Sequence, residues 1–584
     1  MREYWSIWKE AVTRALVEAY PETRGELIRE TLVIETPPEI EKGDIAFPMF
    51  PFARVLKKSP AQIAAAVAGK MEDACPSTDD GAPAGRAVAI GPYVNVFLDR
   101  VAVADTVVNR VLAQEALYGN SGDLADRRVV VEFSCPNTNK PLHLGHLRND
   151  ALGESVVRML RAAGAVVRPV NLINDRGIHI CKSMLAYREF SEGSTPEKEG
   201  KKPDHFVGDY YVRYAQWEKE NPEVEERARR LLQLWEQGDP EVHELWLTMN
   251  RWAIEGIEET YRRTGISFEK VYYESETYKQ GREEILKGVE AGVFYRDEKG
   301  TVWVDLTDID LDKKVLLRAD GTSLYLTQDV GTAIMRHQDW PFDQLIYVVA
   351  SEQRYHFQVL FEVLRRLGFS WAENLHHLAY GMVNLPQGKM KSREGTVVDA
   401  DDLIDTLAEL ALQEIRRKGR DETGDESPRR AEQIALGALH YYLLQTGPVK
   451  DMIFNPEESL SFTGNTGPYL QYVGARVSSM LRKQAAPERV SAPGELVAEE
   501  WLLIHRVASY PRVVSEAASA LNPSILAGHL YETAKAFSRF YHDHPIAVAD
   551  DPKVRDFRLG LSRAVMHVMQ HGLELLNIPF LEAM

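Results

Sequence analysis

The stretch from Val129 to Leu160 constrains the fold more than any other part of the chain. Val129-Val130-Val131-Glu132-Phe133 is a nearly continuous apolar run, as found in a strand buried on both faces of a parallel sheet. Pro136-Asn137-Thr138-Asn139-Lys140-Pro141-Leu142-His143-Leu144-Gly145-His146 follows it, and Leu147 to Leu160 then has helical periodicity. A second apolar run, Val166 to Ile173, completes a β-α-β pattern. The pattern predicts an α/β domain with a doubly wound, Rossmann-like parallel sheet. Ligands of such sheets bind beyond the carboxyl ends of the strands. His143, Asn174 and Ser351 each fall just past a candidate strand. A helix N-terminus there offers free N–H groups and a positive dipole end to an anion. His143 and His146 sit one turn apart at that point, Gly145 leaves room for a nucleotide, and Lys140 adds a positive charge.

At 584 residues the chain exceeds a single core. Its section 1–123 reads as α+β, with strands at Val88 to Ile90 and Val94 to Leu98 and an Asp/Pro/Ala/Gly-rich loop from Cys75 to Gly85. Section 124–426 carries the parallel sheet, with inserted segments over about 186–300, and includes further strands at Val302 to Leu306 and Leu345 to Ala350. Section 427–584 reads as an all-α helical bundle, through Ile434 to Leu444, Tyr469 to Leu481, Trp501 to Leu521 and Ile525 to Tyr541. A net charge of −18 argues against nonspecific nucleic-acid binding but leaves room for a local basic surface. Cys75, Cys135 and Cys181 form no C-x-x-C pair, so free thiols in a reducing cytoplasm are expected, and no zinc. No apolar stretch has membrane-spanning length, so no membrane partner is expected. Trp5, Trp8, Val12 and Leu16 suit a packed amphipathic helix rather than a targeting peptide.

Far downstream lies Gly388-Lys389-Met390-Lys391-Ser392-Arg393. With it, Pro136 to His146 resembles the paired HIGH and KMSKS motifs of class I aminoacyl-tRNA synthetases. The strings E-F-S-C-P-N, D-R-G-I-H, G-D-Y-Y-V-R, L-Y-L-T-Q-D-V-G and Y-V-V-A-S-E-Q resemble the arginyl members, over nearly the whole chain. The resemblance implies an arginine–tRNA ligase. Such an enzyme activates L-arginine with ATP to arginyl-adenylate and transfers arginine to the 3'-terminal adenosine of tRNA(Arg). It further implies Mg2+ with ATP, a first step that needs tRNA, and a monomer. Attack of a carboxylate on the α-phosphorus calls mainly for positioning and electrostatic stabilisation.

The resemblance assigns His143, Gly145, His146 and Lys389 to catalysis and places Met390 and Ser392 at ATP, which His356, just after Gln353, is also expected to face. Ser392 stands where the KMSKS pattern has its second lysine, and Lys140 is placed to supply that charge. Around the guanidinium the resemblance places Glu132, Tyr325 and Asp329, with Asn137 and Gln353 at the α-amino and carboxylate end. The guanidinium is a planar fork of five donors, matched by a carboxylate. Tyr325 and Asp329 share one face of a helix. Read alone, they would be a core aromatic and a helix N-terminal carboxylate. For tRNA, the resemblance places Tyr93 and Asn95 at the D-loop. They stand at i and i+2 on one strand face, an aromatic beside an amide suited to an unstacked base. Tyr469, Tyr472 and Arg476 share a helix face, two aromatics and an arginine suited to stacking single-stranded bases; the resemblance places them at the anticodon loop and brings Tyr541 and Met584 there too.

Three other readings compete. A glutamyl or cysteinyl synthetase would need cationic pocket residues or zinc ligands. A small-molecule nucleotidyltransferase would not need the helical C-terminal third. A non-catalytic RNA-binding relative would have no use for His143, Gly145, His146 and Lys389. Lysine cannot present the guanidinium fork, so an editing domain is not expected.

Overall fold

The structure is a computed structural model that describes residues 2–21, 29–35, 37, 39–71, 85–320, 324–384, 386, 398–417 and 426–584. The loop from Cys75 to Gly85, except Gly85 itself, and the segment holding Lys389, Met390 and Ser392 lie outside the described residues.

The N-terminal section builds an antiparallel sheet from β1 (Ile45–Pro48), β2 (Arg86–Ile90) and β3 (Tyr93–Phe97), in the order β1-β3-β2. The helix Pro60–Met71 packs on it, and the helix Arg2–Ala19 packs on that helix. Asp44 ties this section to the C-terminal helices. One of its oxygens receives both Arg100 Nη2 and the Trp501 indole N–H, each at 3.0 Å.

The central sheet comprises β4 (Arg128–Glu132), β5 (Val166–Ile173), β6 (Lys270–Tyr273), β10 (Gln344–Ala350) and β11 (Leu375–Tyr380). All neighbours run parallel, in the order β11-β10-β4-β5-β6. The chain winds outward from β4 through β5 to β6, then returns to β10 on the other flank. The switch point therefore lies between β4 and β10, where the crevice of an open parallel sheet forms. Val129, Val130 and Val131 are all buried, in keeping with a central strand. The Val302 run does not join this sheet. It forms β8 (Val302–Val304), between β7 (Tyr295–Arg296) and β9 (Lys314–Leu317), in a separate antiparallel sheet. Strand β6, not foreseen, takes the edge.

Between β5 and β6 the helices Ile178–Phe190, Pro203–Glu220, Val224–Glu236 and Pro240–Thr264 enclose a core of their own around Met184, Phe206 and Tyr214. The C-terminal bundle contains the helices Glu426–Leu444, Gly467–Lys483, Ala498–Ser519 and Pro523–Asp543, and a further one, Pro552–Leu575. No helix among the described residues is long and apolar enough to cross a membrane.

One helix crossing sets the spacing of side chains beside the crevice. The helix Glu274–Glu290 packs on the helix Tyr325–Asp339 through Gly281 and Gly331. A Cβ on Gly281 would fall on the Thr327 carbonyl oxygen, and one on Gly331 would fall on the Gly281 backbone nitrogen. The two backbones approach as closely as they do because neither residue has a side chain. Gly331→Ala is expected to force the helices apart and lower stability by about 1–3 kcal/mol, the usual cost of overpacking. Thermal unfolding of the variant against the wild type checks this.

Candidate active site

Just past β4, Ser134 and Cys135 both adopt left-handed backbone, with φ of 72° and 51°. Such angles in non-glycine residues cost about 1–3 kcal/mol each and persist only where the surroundings over-determine them. Here they do. The Ser134 N–H donates to Asn149 Oδ1 at 2.6 Å and the Cys135 N–H to Asn171 Oδ1 at 3.1 Å. Ser134 Oγ meets the Tyr261 hydroxyl at 2.6 Å, and the Asn174 amide donates to the Cys135 carbonyl at 3.0 Å. The turn aims the following residues across the carboxyl edge of the sheet.

The helix Leu144–Ala162 begins with His143 as its N-cap. The Gly145 N–H donates to His143 Nδ1 and the His143 N–H donates to His146 Nδ1, both at 3.1 Å. Two imidazoles thus form a reciprocal cap, with ring centroids 4.0 Å apart. Accepting from a backbone N–H requires an unprotonated Nδ1, so each neutral ring carries its proton on Nε2. Burial, with Lys140 nearby, pushes the His143 imidazole down to about 4. Burial, then His143 and Lys140, holds His146 well below the usual histidine range. Both rings are neutral donors at pH 7. Burial also lowers the Lys140 ammonium, and among the described residues it forms no ion pair. Gly145 has its φ in the ordinary range, but a Cβ there would press on the His143 ring at 2.9 Å.

Lys140 and His143 line a cavity of about 210 Å³ with His205, Tyr211 and Asp399. Its far wall is pinned to the turn by backbone bonds, Leu144 N–H to Val398 O at 3.2 Å and Ala400 N–H to Leu142 O at 3.0 Å. Nearby, Asp204, His205 and Asp401 gather close enough to suggest a metal site. Lys202 Nζ already sits 3.0 Å from Asp204 and 2.7 Å from Asp401, so a fixed cation fills that role.

On the other side of the turn lies a cavity of about 260 Å³, lined by Asn137, Asn174, Arg176, Glu274, Tyr325 and Asp329, among others. The Tyr325 ring, 74% exposed, stands at its mouth. His356 Nε2 lies 2.6 Å from Asp329 Oδ2, so His356 orients this carboxylate. Gln353 is exposed at the end of the short 3-10 turn Ser351–Gln353. Glu132 is not in the lining. Its buried carboxylate abuts the Arg336 guanidinium. Glu274, not singled out in the sequence, does line the cavity. It opens its helix just past β6, so the strand-end rule would have found it had β6 been recognised. With its amide nitrogen toward Glu274 and oxygen toward Arg176, Gln328 bridges the two at 2.9 and 3.1 Å. Burial pushes Glu274 up to about 7; Arg176 opposes the shift, while Asp175 and Asp329 add to it.

The residues expected at tRNA divide. Tyr472, Arg476, Tyr541 and Met584 converge on one basic cavity of about 530 Å³, joined by Arg482 and Lys483. The Arg476 guanidinium lies 4.6 Å from the Tyr472 ring centroid and 5.1 Å from that of Tyr541. Tyr469 turns away, its hydroxyl 3.0 Å from Ser538 Oγ. On β3, Tyr93 stays partly exposed against Phe50, but Asn95 is buried and donates to the Lys42 carbonyl at 2.7 Å. The other end of this amide, Oδ1, is buried without a hydrogen-bond partner among the described residues.

A parallel sheet with an imidazole pair capping the helix after its central strand, followed by a helical bundle with an aromatic–arginine cavity, defines a class I aminoacyl-tRNA synthetase. Residues 107–456 match the family of tRNA synthetases class I (R), catalytic domain; residues 470–584 match the DALR anticodon binding domain, and residues 6–98 the arginyl tRNA synthetase N terminal domain. The chain is 54% identical to the arginine–tRNA ligase of Treponema denticola and 51% identical to that of Treponema pallidum, covering 100% of both chains in each case. The solved arginyl-tRNA synthetase of Thermus thermophilus is 25% identical, covers 99% of each chain and superposes with a TM-score of 0.78. The chain belongs to the arginyl-tRNA synthetase family, ligases of class I.

A cation entering the acidic cavity stabilises the Glu274 carboxylate and lowers its pKa. Because the free group sits near 7, affinity for a guanidinium ligand is expected to rise with pH through that value and to fall below it. Calorimetric titration with a guanidinium compound between pH 6 and 8 checks the slope. Glu274→Gln is expected to weaken binding about tenfold at pH 8 and to flatten the dependence.

Proposed function

We propose that this chain joins L-arginine to tRNA(Arg) by way of arginyl-adenylate, with the two reactants held on opposite sides of one turn. The observation that supports it is the contrast between those sides. A neutral imidazole, His143, and Lys140 stand on one, and Glu274 and Asp329 with Tyr325 on the other. Phosphate oxygens suit the first, a planar cation the second. An acidic lining disfavours glutamate.

In this reading the Nε2–H groups of His143 and His146 donate to ATP phosphate oxygens, and Gly145 admits the nucleotide. Lys140 supplies the charge that Ser392 cannot, while Lys389, Met390 and Ser392 approach ATP from their own segment. Asp329, aimed by His356, and Glu274 take the guanidinium, with Tyr325 closing over it. Asn137 and Gln353 hold the α-amino and carboxylate end, so that the carboxylate faces the α-phosphorus. Among the described residues two carboxylates, Asp209 and Asp399, line the cavity beside Lys140 and His143, and Asp209 is already paired with Lys201 at 2.8 Å, a donor set that fits a Mg2+ carried on the phosphates rather than in a protein cage. Mg2+ there would neutralise phosphate charge. In the bundle, Tyr472, Arg476, Tyr541 and Met584 stack unpaired anticodon bases, and Tyr93 meets the D-loop. Sections 1–123, 124–426 and 427–584 serve the tRNA body, the chemistry and the anticodon. We place the enzyme in the cytoplasm as a monomer.

Pyrophosphate exchange tests the function. Arginine-dependent exchange is expected with tRNA(Arg) present and is expected to be absent without it. No exchange with arginine under either condition would overturn the assignment, and strong exchange without tRNA would remove only the tRNA requirement. Lys140→Ala is expected to slow aminoacylation roughly 10²-fold or more, the scale for losing one preorganised electrostatic group. An unchanged single-turnover rate would show that the charge comes from elsewhere.

A further inference from the structure

Glu132 and Arg336 form a fully internal ion pair beneath the acidic cavity. Arg336 is 1% exposed, and arginine is almost never so buried unless paired. Its guanidinium abuts the Glu132 carboxylate at the end of β4. It also lies 5.3 Å from the ring centroid of Tyr272 on β6 and 5.8 Å from that of Tyr347 on β10. A carboxylate and two tyrosines thus enclose an arginine of the chain itself, with the same chemistry that Asp329, Glu274 and Tyr325 offer a ligand. Arg336 belongs to the helix Tyr325–Asp339, seven residues after Asp329 and hence about two turns along one face.

We propose that Arg336 is a positioning residue of the arginine site: it occupies Glu132 as an internal guanidinium and latches the helix of Tyr325 and Asp329 to strands β4, β6 and β10. The inference rests on the reading of the Asp329 cavity as the arginine site. The geometry has three consequences. Glu132 is withheld from the substrate, which therefore meets Asp329 and Glu274 alone. The latch fixes how far Asp329 stands from Glu274, since their helices cross at Gly281 and Gly331. Lysine cannot replace Arg336, because a point charge neither fills the planar slot between the two rings nor offers a fork to the carboxylate.

The test uses the full-length enzyme with tRNA(Arg), measuring pyrophosphate exchange as a function of arginine and of ATP. Arg336→Ala opens a slot the size of a guanidinium ion beside Glu132. It is expected to raise the KM for arginine at least tenfold while the KM for ATP moves less than twofold. Low-millimolar guanidinium chloride is expected to restore most of the loss, whereas methylammonium chloride of equal concentration does not. In the wild type the same guanidinium only competes with arginine. Arg336→Lys is expected to behave like Arg336→Ala without added ion. An unchanged KM for arginine, parallel rises in both KM values, or rescue by methylammonium as good as by guanidinium would each overturn the proposal. Should Arg336→Ala fail to fold, the double variant E132L/R336M removes both buried charges, and is expected to fold, because a packed apolar pair commonly replaces a buried ion pair without loss. It is expected to show the raised KM for arginine without rescue; a wild-type KM would overturn the proposal. Asp329→Asn separates the two readings. If it leaves arginine binding unchanged, the cavity is not the arginine site, whatever Arg336 does.

Discussion

Two consecutive left-handed residues, Ser134 and Cys135, are the constraint on which the site depends. A strand that ended in relaxed extended backbone would carry the chain on past the sheet. The reversal instead throws Asn137 to one side and His143 to the other. Its cost is met by Asn149, Asn171, Asn174 and Tyr261, four polar side chains from different parts of the chain, all satisfied by the turn. Asn149 does most, for its amide also donates to the Val348 carbonyl at 2.8 Å and the Tyr380 hydroxyl at 3.1 Å. One buried asparagine therefore joins the turn after β4 to β10 and β11. Buried polar networks of this kind specify a single arrangement because any partial version leaves costly unpaired groups.

The helix that follows inherits its start from this turn. Its cap differs from the usual hydroxyl or carboxylate cap in using imidazoles on both sides. The bonds that satisfy the first backbone donors are the same bonds that set the tautomers. Folding thus orients the Nε2–H groups before any ligand arrives, and little reorganisation is left for the moment of reaction.

The sequence made the centre of this molecule legible and its periphery less so. Strand β4, the turn and the helix after it were readable because an apolar run, proline punctuation and a 3.6 period stand side by side. The edge strand Lys270–Tyr273 was not, since K-V-Y-Y is short and half-exposed, and with it went Glu274. Val302–Val304 was readable as a strand, but pattern alone does not say which sheet a strand joins. Asn95 shows a related gap: an i, i+2 spacing puts two residues on one face without saying how deeply each is buried. For Glu132, the missing information was the identity of its partner. Arg336 lies 204 residues away, and only the register of β4 beside β10 brings the helix that carries it over the strand.

The charge arrangement explains why the two sides of the turn can work within one crevice. Were His143 and His146 protonated, they would add two buried cations beside Lys140, whose own ammonium is already destabilised by burial. Desolvation and mutual repulsion act together to keep them neutral. On the acidic side the same burial raises Glu274 to about 7, so that Asp329 and Glu274 do not confront each other as two full negative charges until a cation comes between them. Burial thus limits like-charge repulsion within each half when it is empty. Its ligand supplies the missing charge, negative on one side and positive on the other. A substrate of the wrong sign would find no compensation in either half, and for a site of this construction discrimination by charge comes before discrimination by shape.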